Sequence, residues 1–276
     1  MQTGRQWGGV VGYDALPRRW VIEGSTITAI AGLIGFVYLI AMVVPAVRRA
    51  LPFRWETPLG VYGLLLLLSG NYLGLFVAPG ERMMGEVGRI LHVHVPAAWV
   101  AMLSFFVAGI AAFAFLMVGK RGLDSLVEAA AEVGVMEATL LCLLGAIFAK
   151  PTWGVWWDWD PRLTSTAVML LSFVGVLLLR GVVRDPDRRA TWSAVATLLS
   201  TVNLPITYMS VKWWRSLHQD MSETTGGSTI DDSLRWVMYY NTWAFVFLTV
   251  WFLATRWRLA EVRAEREVPD ALPEVA

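Results

Sequence analysis

Long apolar runs separated by short polar ones make up most of the chain. A helix needs about 20 mostly apolar residues to cross a bilayer, and seven segments meet that length: 26–47, 59–78, 95–118, 126–149, 163–180, 192–211 and 236–255. Each is apolar nearly all round, without the polar stripe of a helix that faces water. The pattern predicts an all-α integral membrane protein. It leaves a polar N-terminal lead at 1–25 and a charged tail at 257–276, the latter starting as a short helix.

The placement of Lys and Arg orients these segments. The loops on one side carry Arg48, Arg49, Arg54, Lys120, Arg121, Arg180, Arg184, Arg188, Arg189, Arg256, Arg258, Arg263 and Arg266. The alternate loops carry Arg82, Arg89, Lys150, Arg162, Lys212, Arg215 and Arg235. Thirteen against seven places the first set in the cytoplasm. The lead at 1–25 contains Arg5, Arg18 and Arg19 and no clear signal-peptide cleavage site. With 26–47 as a span, the N-terminus lies outside and the C-terminus inside; the alternative is an interfacial or re-entrant segment.

Composition then narrows the chemistry. The net charge of +1 carries no information about nucleic acid. Cys142 is the single cysteine, so the chain has no intrachain disulfide, and with no CxxCH it attaches no haem to itself by a c-type linkage. There is no Walker A sequence, so any use of ATP must come from a partner.

All three histidines fall at the outward ends: His92 and His94 just before the segment at 95–118, and His218 in the loop after 211. The outward loop at 150–165, "KPTWGVWWDWDPRLTS", holds Trp153, Trp156, Trp157 and Trp159, and a further pair, Trp213 and Trp214, precedes His218. Tryptophan is enriched at membrane interfaces, but four within seven residues exceed such a belt. Imidazole is a common ligand for transition metals, and two can hold haem iron from opposite faces. Indoles offer a matching surface for a flat porphyrin, and Arg162 or Arg215 can pair with its propionates. Two residues apart on a helix, His92 and His94 point roughly 200° from one another, so only one can face a shared iron, and composition leaves the choice open. Asp158 and Asp160 resemble a glycosidase pair only in spacing; Asp160 before Pro161 reads as the cap of the next helix. Two other readings compete: a membrane b-type cytochrome in electron transfer, and a permease whose tryptophans are an interfacial belt.

Three stretches, "LHVHVPAAW" at 91–99, "KPTWGVWWDWDPRLTS" at 150–165 and "VNLPITYMSVKWWRSLHQ" at 202–219, together resemble the CcmC family, the haem-delivery proteins of cytochrome c maturation. Other haem-handling proteins with this tryptophan-rich (WWD) domain usually continue with an acidic DP-x-E sequence, whereas here Arg162-Leu163-Thr164-Ser165 follows. The resemblance covers roughly 59–256 and implies a haem-handling domain of six core transmembrane helices, with 26–58 as an additional N-terminal segment and loop. It implies non-covalent haem b with axial ligands His94, which precedes Val95-Pro96-Ala97-Ala98, and His218 in the Trp-Trp-x-x-Leu-His-Gln stretch. His92 is then an extra neighbour. The expected cofactor-binding set is His94, His218, Trp153, Trp156, Trp157, Trp159, Asp160, Arg162, Trp213 and Trp214. Implied partners are the haem chaperone CcmE, the ABC-type ATPase CcmA with its membrane subunit CcmB, and the small single-span CcmD, all at the inner membrane. The chain itself is then a delivery factor, not an enzyme. Departures from the family pattern are Pro161, where Ala is expected, and Asp158, where a neutral residue is common.

Two further residues stand out inside the apolar segments. Glu137 in mid-membrane is a functional candidate or a hydrogen-bonding partner for a neighbouring helix. Asn203 with Pro205 predicts a kink whose freed backbone group the Asn satisfies.

Overall fold

Backbone N–H and C=O groups that enter hydrocarbon must find partners inside the chain, and apolar runs of this length satisfy that need as helices. The computed structural model describes residues 18–43, 54–81, 84–218 and 232–267. It contains eight α-helices among these residues: α1 (Arg18–Val43), α2 (Glu56–Tyr72), α3 (Leu91–Val118), α4 (Arg121–Trp153), α5 (Pro161–Val182), α6 (Pro186–Thr201), α7 (Asn203–Trp213) and α8 (Asp232–Glu267). A π turn, Leu73–Val77, closes α2, and a 3-10 turn, Glu86–Ile90, leads into α3. Counting α6 and α7 as one, seven stretches are long and apolar enough to cross a membrane. The protein is an all-α, multi-pass membrane protein.

The helices begin and end where local chemistry dictates. α1 starts at Arg18, inside the expected polar lead, because its polar residues are masked: Ser25 and Thr26 donate to the Ile22 carbonyl and Thr28 to that of Gly24. Residues 44–47 of the expected segment lie outside the described residues. α3 reaches back to Leu91, so His92 and His94 stand on its first turns and not in a loop. The expected segment 192–211 is two helices broken at Val202. The Asn203 amide does not mend its own kink: it reaches across and donates to the Ser165 carbonyl of α5 at 2.7 Å. α8 runs to Glu267, so the first part of the charged tail continues the last span.

α8 packs against α1, α2, α3 and α4, while α5, α6 and α7 lie against α3 and α4 and one another. Its aromatic ridge fills notches that only glycine leaves open: Trp236 at Gly24, Trp243 at Gly32, Phe247 at Gly35 and Trp251 at Gly60. Lipid supplies no hydrophobic drive for helices to associate, so such close approach is what holds them together. Some of the polar groups inside the bundle join helices. Glu137 of α4 accepts from Ser104 of α3 at 2.6 Å and from Thr249 of α8, joining three helices at mid-bundle. At one end Arg180 of α5 donates to Asp124 (2.6 Å) and Glu128 (2.8 Å) of α4 and to Ser193 of α6. The other end carries the tryptophan stretch and all three histidines.

The glycine notches give a direct test. A methyl group at Gly35 overlaps the Phe247 ring, whereas Gly175 on α5 has open space around it. Overpacking costs about 1–3 kcal/mol, and Gly→Ala in an unhindered helix gains up to about 1 kcal/mol. Thermal unfolding in detergent is expected to show Gly35→Ala below the parent and Gly175→Ala at or above it. A Gly35→Ala protein as stable as the parent would remove α1 from the α8 interface.

Candidate ligand-binding site

The tryptophan stretch is a tight connection between α4 and α5. Gly154 ends α4 with φ 80°, a left-handed conformation that suits a residue without Cβ, and its N–H donates to the Lys150 carbonyl. Asp160 starts α5, and Pro161 follows as its first residue. The Asp160 carboxylate is almost wholly buried and serves two segments at once. Oδ1 accepts from the N–H of Arg162 at 2.8 Å and of Leu163 at 3.4 Å. Oδ2 accepts from the N–H of Leu217 at 2.7 Å, in the segment after α7, and Ser216 adds a side-chain hydrogen bond. Burial alone would raise the Asp160 pKa. The hydrogen bonds from Ser216, Leu217 and Arg162, with His218 nearby, outweigh burial and hold it below the usual carboxylate value.

His218 is thereby fixed beside the tryptophan stretch. Its Nδ1 lies 3.6 Å from Asp160 Oδ1, too long for a full hydrogen bond and an ion pair only when the ring is protonated. Burial pushes the His218 pKa down to about 4, and the Arg162 guanidinium adds to this against the pull of Asp160. At neutral pH it is an uncharged imidazole, the form that binds metals. The Trp153 ring meets His218 edge-on at 5.0 Å, and Phe148 meets Trp153 edge-on at 5.8 Å. His94 lies roughly parallel to Phe148 at 6.4 Å. An unbroken chain of ring contacts therefore links the two histidines. Nδ1 of each is buried without a hydrogen-bond partner.

The other expected residues divide into three groups. Trp157 is half-buried with an unpartnered Nε1 and meets Trp159 edge-on at 5.9 Å, and Trp213 and Trp214 meet edge-on at 5.8 Å. Trp156 (60% exposed), Trp159 (78%), Trp213 and Trp214 are exposed apolar side chains on the α4–α5 connection and at the end of α7. Arg162 donates to the carbonyls of Thr207 and Tyr208 on α7 at 3.3 and 3.4 Å, while Arg215 and Asp158 are exposed. His92 is buried on the opposite side of α3, with Nδ1 on the Arg89 carbonyl and Nε2 3.3 Å from Asn71 Oδ1. Sequence reading missed Phe148, which looks like one more apolar span residue, and the tether through Ser216 and Leu217, which has no motif.

Among the described residues, no three His, Cys, Asp or Glu side chains converge as they would around a bare metal ion. Two imidazoles set among aromatic rings suit a planar ligand that brings its own equatorial donors. Residues 27–271 match the model of the family described as "Heme exporter protein C" (CcmC), a range that includes most of α1. The chain belongs to that family. It is 36% identical over 213 residues to "Heme exporter protein C" of Bradyrhizobium diazoefficiens, covering 77% of this chain and 81% of that protein. The Escherichia coli (strain K12) protein of that name is 32% identical over 216 residues, 78% of this chain and 87% of its own. A "Putative cytochrome c biosynthesis ccmC-like mitochondrial protein" of Marchantia polymorpha is 31% identical over 197 residues, 71% and 84% of the two chains.

The shared carboxylate separates two substitutions. Asp160→Ala removes the α5 cap, worth about 1 kcal/mol, together with the tether to Leu217. Asp160→Asn keeps a good cap but has one acceptor oxygen where two are in use. Hydrogen exchange is expected to rise at the Leu217 amide in both variants, and at Arg162 and Leu163 only with Ala. An unchanged Leu217 amide in Asp160→Ala would disprove the tether.

Proposed function

We propose that the chain binds haem b non-covalently between His94 and His218, with Trp153 against the site and the exposed indoles around its mouth. In this reading it hands that haem to a chaperone for c-type cytochrome assembly. The observation that carries the reading is the pair of imidazoles joined through Phe148 and Trp153 at one end of the bundle. Membership of the haem exporter family points the same way. A carrier must hold its cargo and still release it. Two ligands from a helix head and a short loop serve both needs. Asp160 sits on the Nδ1 side of His218 and orients the ring, as partners of ligating histidines commonly do.

The excess of Lys and Arg at the opposite end supports a site on the periplasmic face of the inner membrane. CcmE is the proposed recipient, with CcmA, CcmB and CcmD as the assembly around the chain. A b-type cytochrome relaying electrons through a second haem would need another histidine pair, and His92 is engaged with Arg89 and Asn71. A permease with a tryptophan belt predicts no haem at all.

The visible spectrum of detergent-purified protein, loaded with haem, decides among these. A low-spin, six-coordinate spectrum is expected in the parent and is expected to be lost in both His94→Ala and His218→Ala. An absent haem band in the parent, or an unchanged spectrum in either variant, refutes the site. The pH dependence has a definite sign. Protonation abolishes ligation, and the His218 pKa lies near 4, so the low-spin spectrum should persist at pH 5.5 and disappear only toward about pH 4. Loss centred near the ordinary histidine value of about 6.5 would contradict the buried, uncharged His218.

A further inference from the structure

The haem reading uses two of the three histidines, and the third is the most tightly enclosed. His92 is 1% exposed on the first turn of α3, facing away from His94. Its ring covers Gly74, where a methyl group would sit 2.5 Å from the ring carbons, so no other residue type fits there without displacing it. Gly74 belongs to the π turn that ends α2, in which the Ala78 N–H donates to the Leu73 carbonyl. A π turn in a helix frequently accompanies a functional site, because it re-aims the chain around it.

Two hydrogen bonds and the His92 ring packed on Gly74 bind this turn to the head of α3. The Arg89 guanidinium donates to the carbonyls of Gly74, at 3.1 Å, and Ala78. His92 Nδ1 donates to the Arg89 carbonyl and so holds the residue whose guanidinium grips the turn, while Nε2, 3.3 Å from Asn71 Oδ1 on α2, faces another acceptor and adds close packing, not a hydrogen bond. Asn71 is itself held, its amide nitrogen donating to the Leu67 carbonyl at 2.8 Å. A helix head with no side-chain cap of its own is thus fixed in rotation about its axis. Because His94 lies two residues on, that rotation decides where His94 points.

We infer that His92 is a positioning residue for His94: by locking the head of α3 onto the α2 π turn, it sets the direction from which His94 approaches the ligand. This rests on the haem reading above. Asp160 plays the same part for His218, so each ligand has its own clamp, and the two clamps share no residue.

The test uses full-length, haem-loaded protein and reads the ferric spin state as well as haem content. His92→Ala is expected to keep near-parental haem stoichiometry while its high-spin share rises several-fold, because His94 no longer reaches the iron in every molecule. Free imidazole in the buffer should return that share to low spin. His92→Asn, whose amide N–H can replace Nδ1–H toward the Arg89 carbonyl, should recover most of the parental spectrum. Gly74→Ala, which displaces the His92 ring from outside, should reproduce the alanine effect and carries the test if His92→Ala does not accumulate. A parental spin state in His92→Ala or Gly74→Ala overturns the inference, as does complete loss of haem from a monodisperse His92→Ala protein. Failure of the haem reading is distinguishable, since it would leave His94→Ala and His218→Ala unchanged in the same series.

Discussion

The Asp160 carboxylate is the constraint on which the site depends. It closes the N-terminus of α5, where unpaired N–H groups and the helix dipole favour an anion. With its second oxygen it pins the segment that carries His218. Two stretches more than fifty residues apart are thereby brought to one point, and the tryptophan connection between α4 and α5 is given a fixed end. The carboxylate is hydrogen-bonded from several sides and its pKa is held below the usual carboxylate value, and it partly offsets the burial and the Arg162 charge that keep the adjacent imidazole neutral. A neutral residue in its place would have to choose between capping and tethering.

Everything else in the bundle serves to hold α3 and α4 steady behind that point. α8 lies against both, with its aromatic side chains seated in glycine notches on α1 and α2. Glu137 ties α3, α4 and α8 together by hydroxyl donors at mid-bundle, which accounts for a carboxyl group there structurally. The head of α3 supplies His94 and the end of α4 supplies Phe148 and Trp153.

Hydropathy revealed the bundle because a bilayer demands long apolar runs, and six of the seven spans begin or end within a few residues of their expected limits. It failed where polar side chains hide inside a helix or where an apolar run contains a break. Arg18, Arg19, Glu23 and Ser25 are polar, so the start of α1 read as part of the lead, although Ser25 bonds back to its own helix. Val202 is apolar, so hydropathy passes over the break there; Asn203 and Pro205 did mark it, although the Asn203 amide binds Ser165 of α5 and not its own helix. Helical geometry did foresee that His92 and His94 face opposite ways, but which one meets His218 depends on packing against α2 that no local pattern carries. Likewise the cluster of tryptophans was plain in the sequence, while its arrangement, with Trp153 turned inward and Trp156 and Trp159 outward, follows from the left-handed turn at Gly154 and the anchor at Asp160.

The most direct test of the central claim is electron–nuclear double resonance on the ferric haem complex, with histidine as the only ¹⁵N-labelled residue. The account predicts two strongly coupled histidine nitrogens on the iron, with one lost in His94→Ala and the other in His218→Ala. Coupling to the porphyrin nitrogens alone, or to a nitrogen that survives both substitutions, would contradict it.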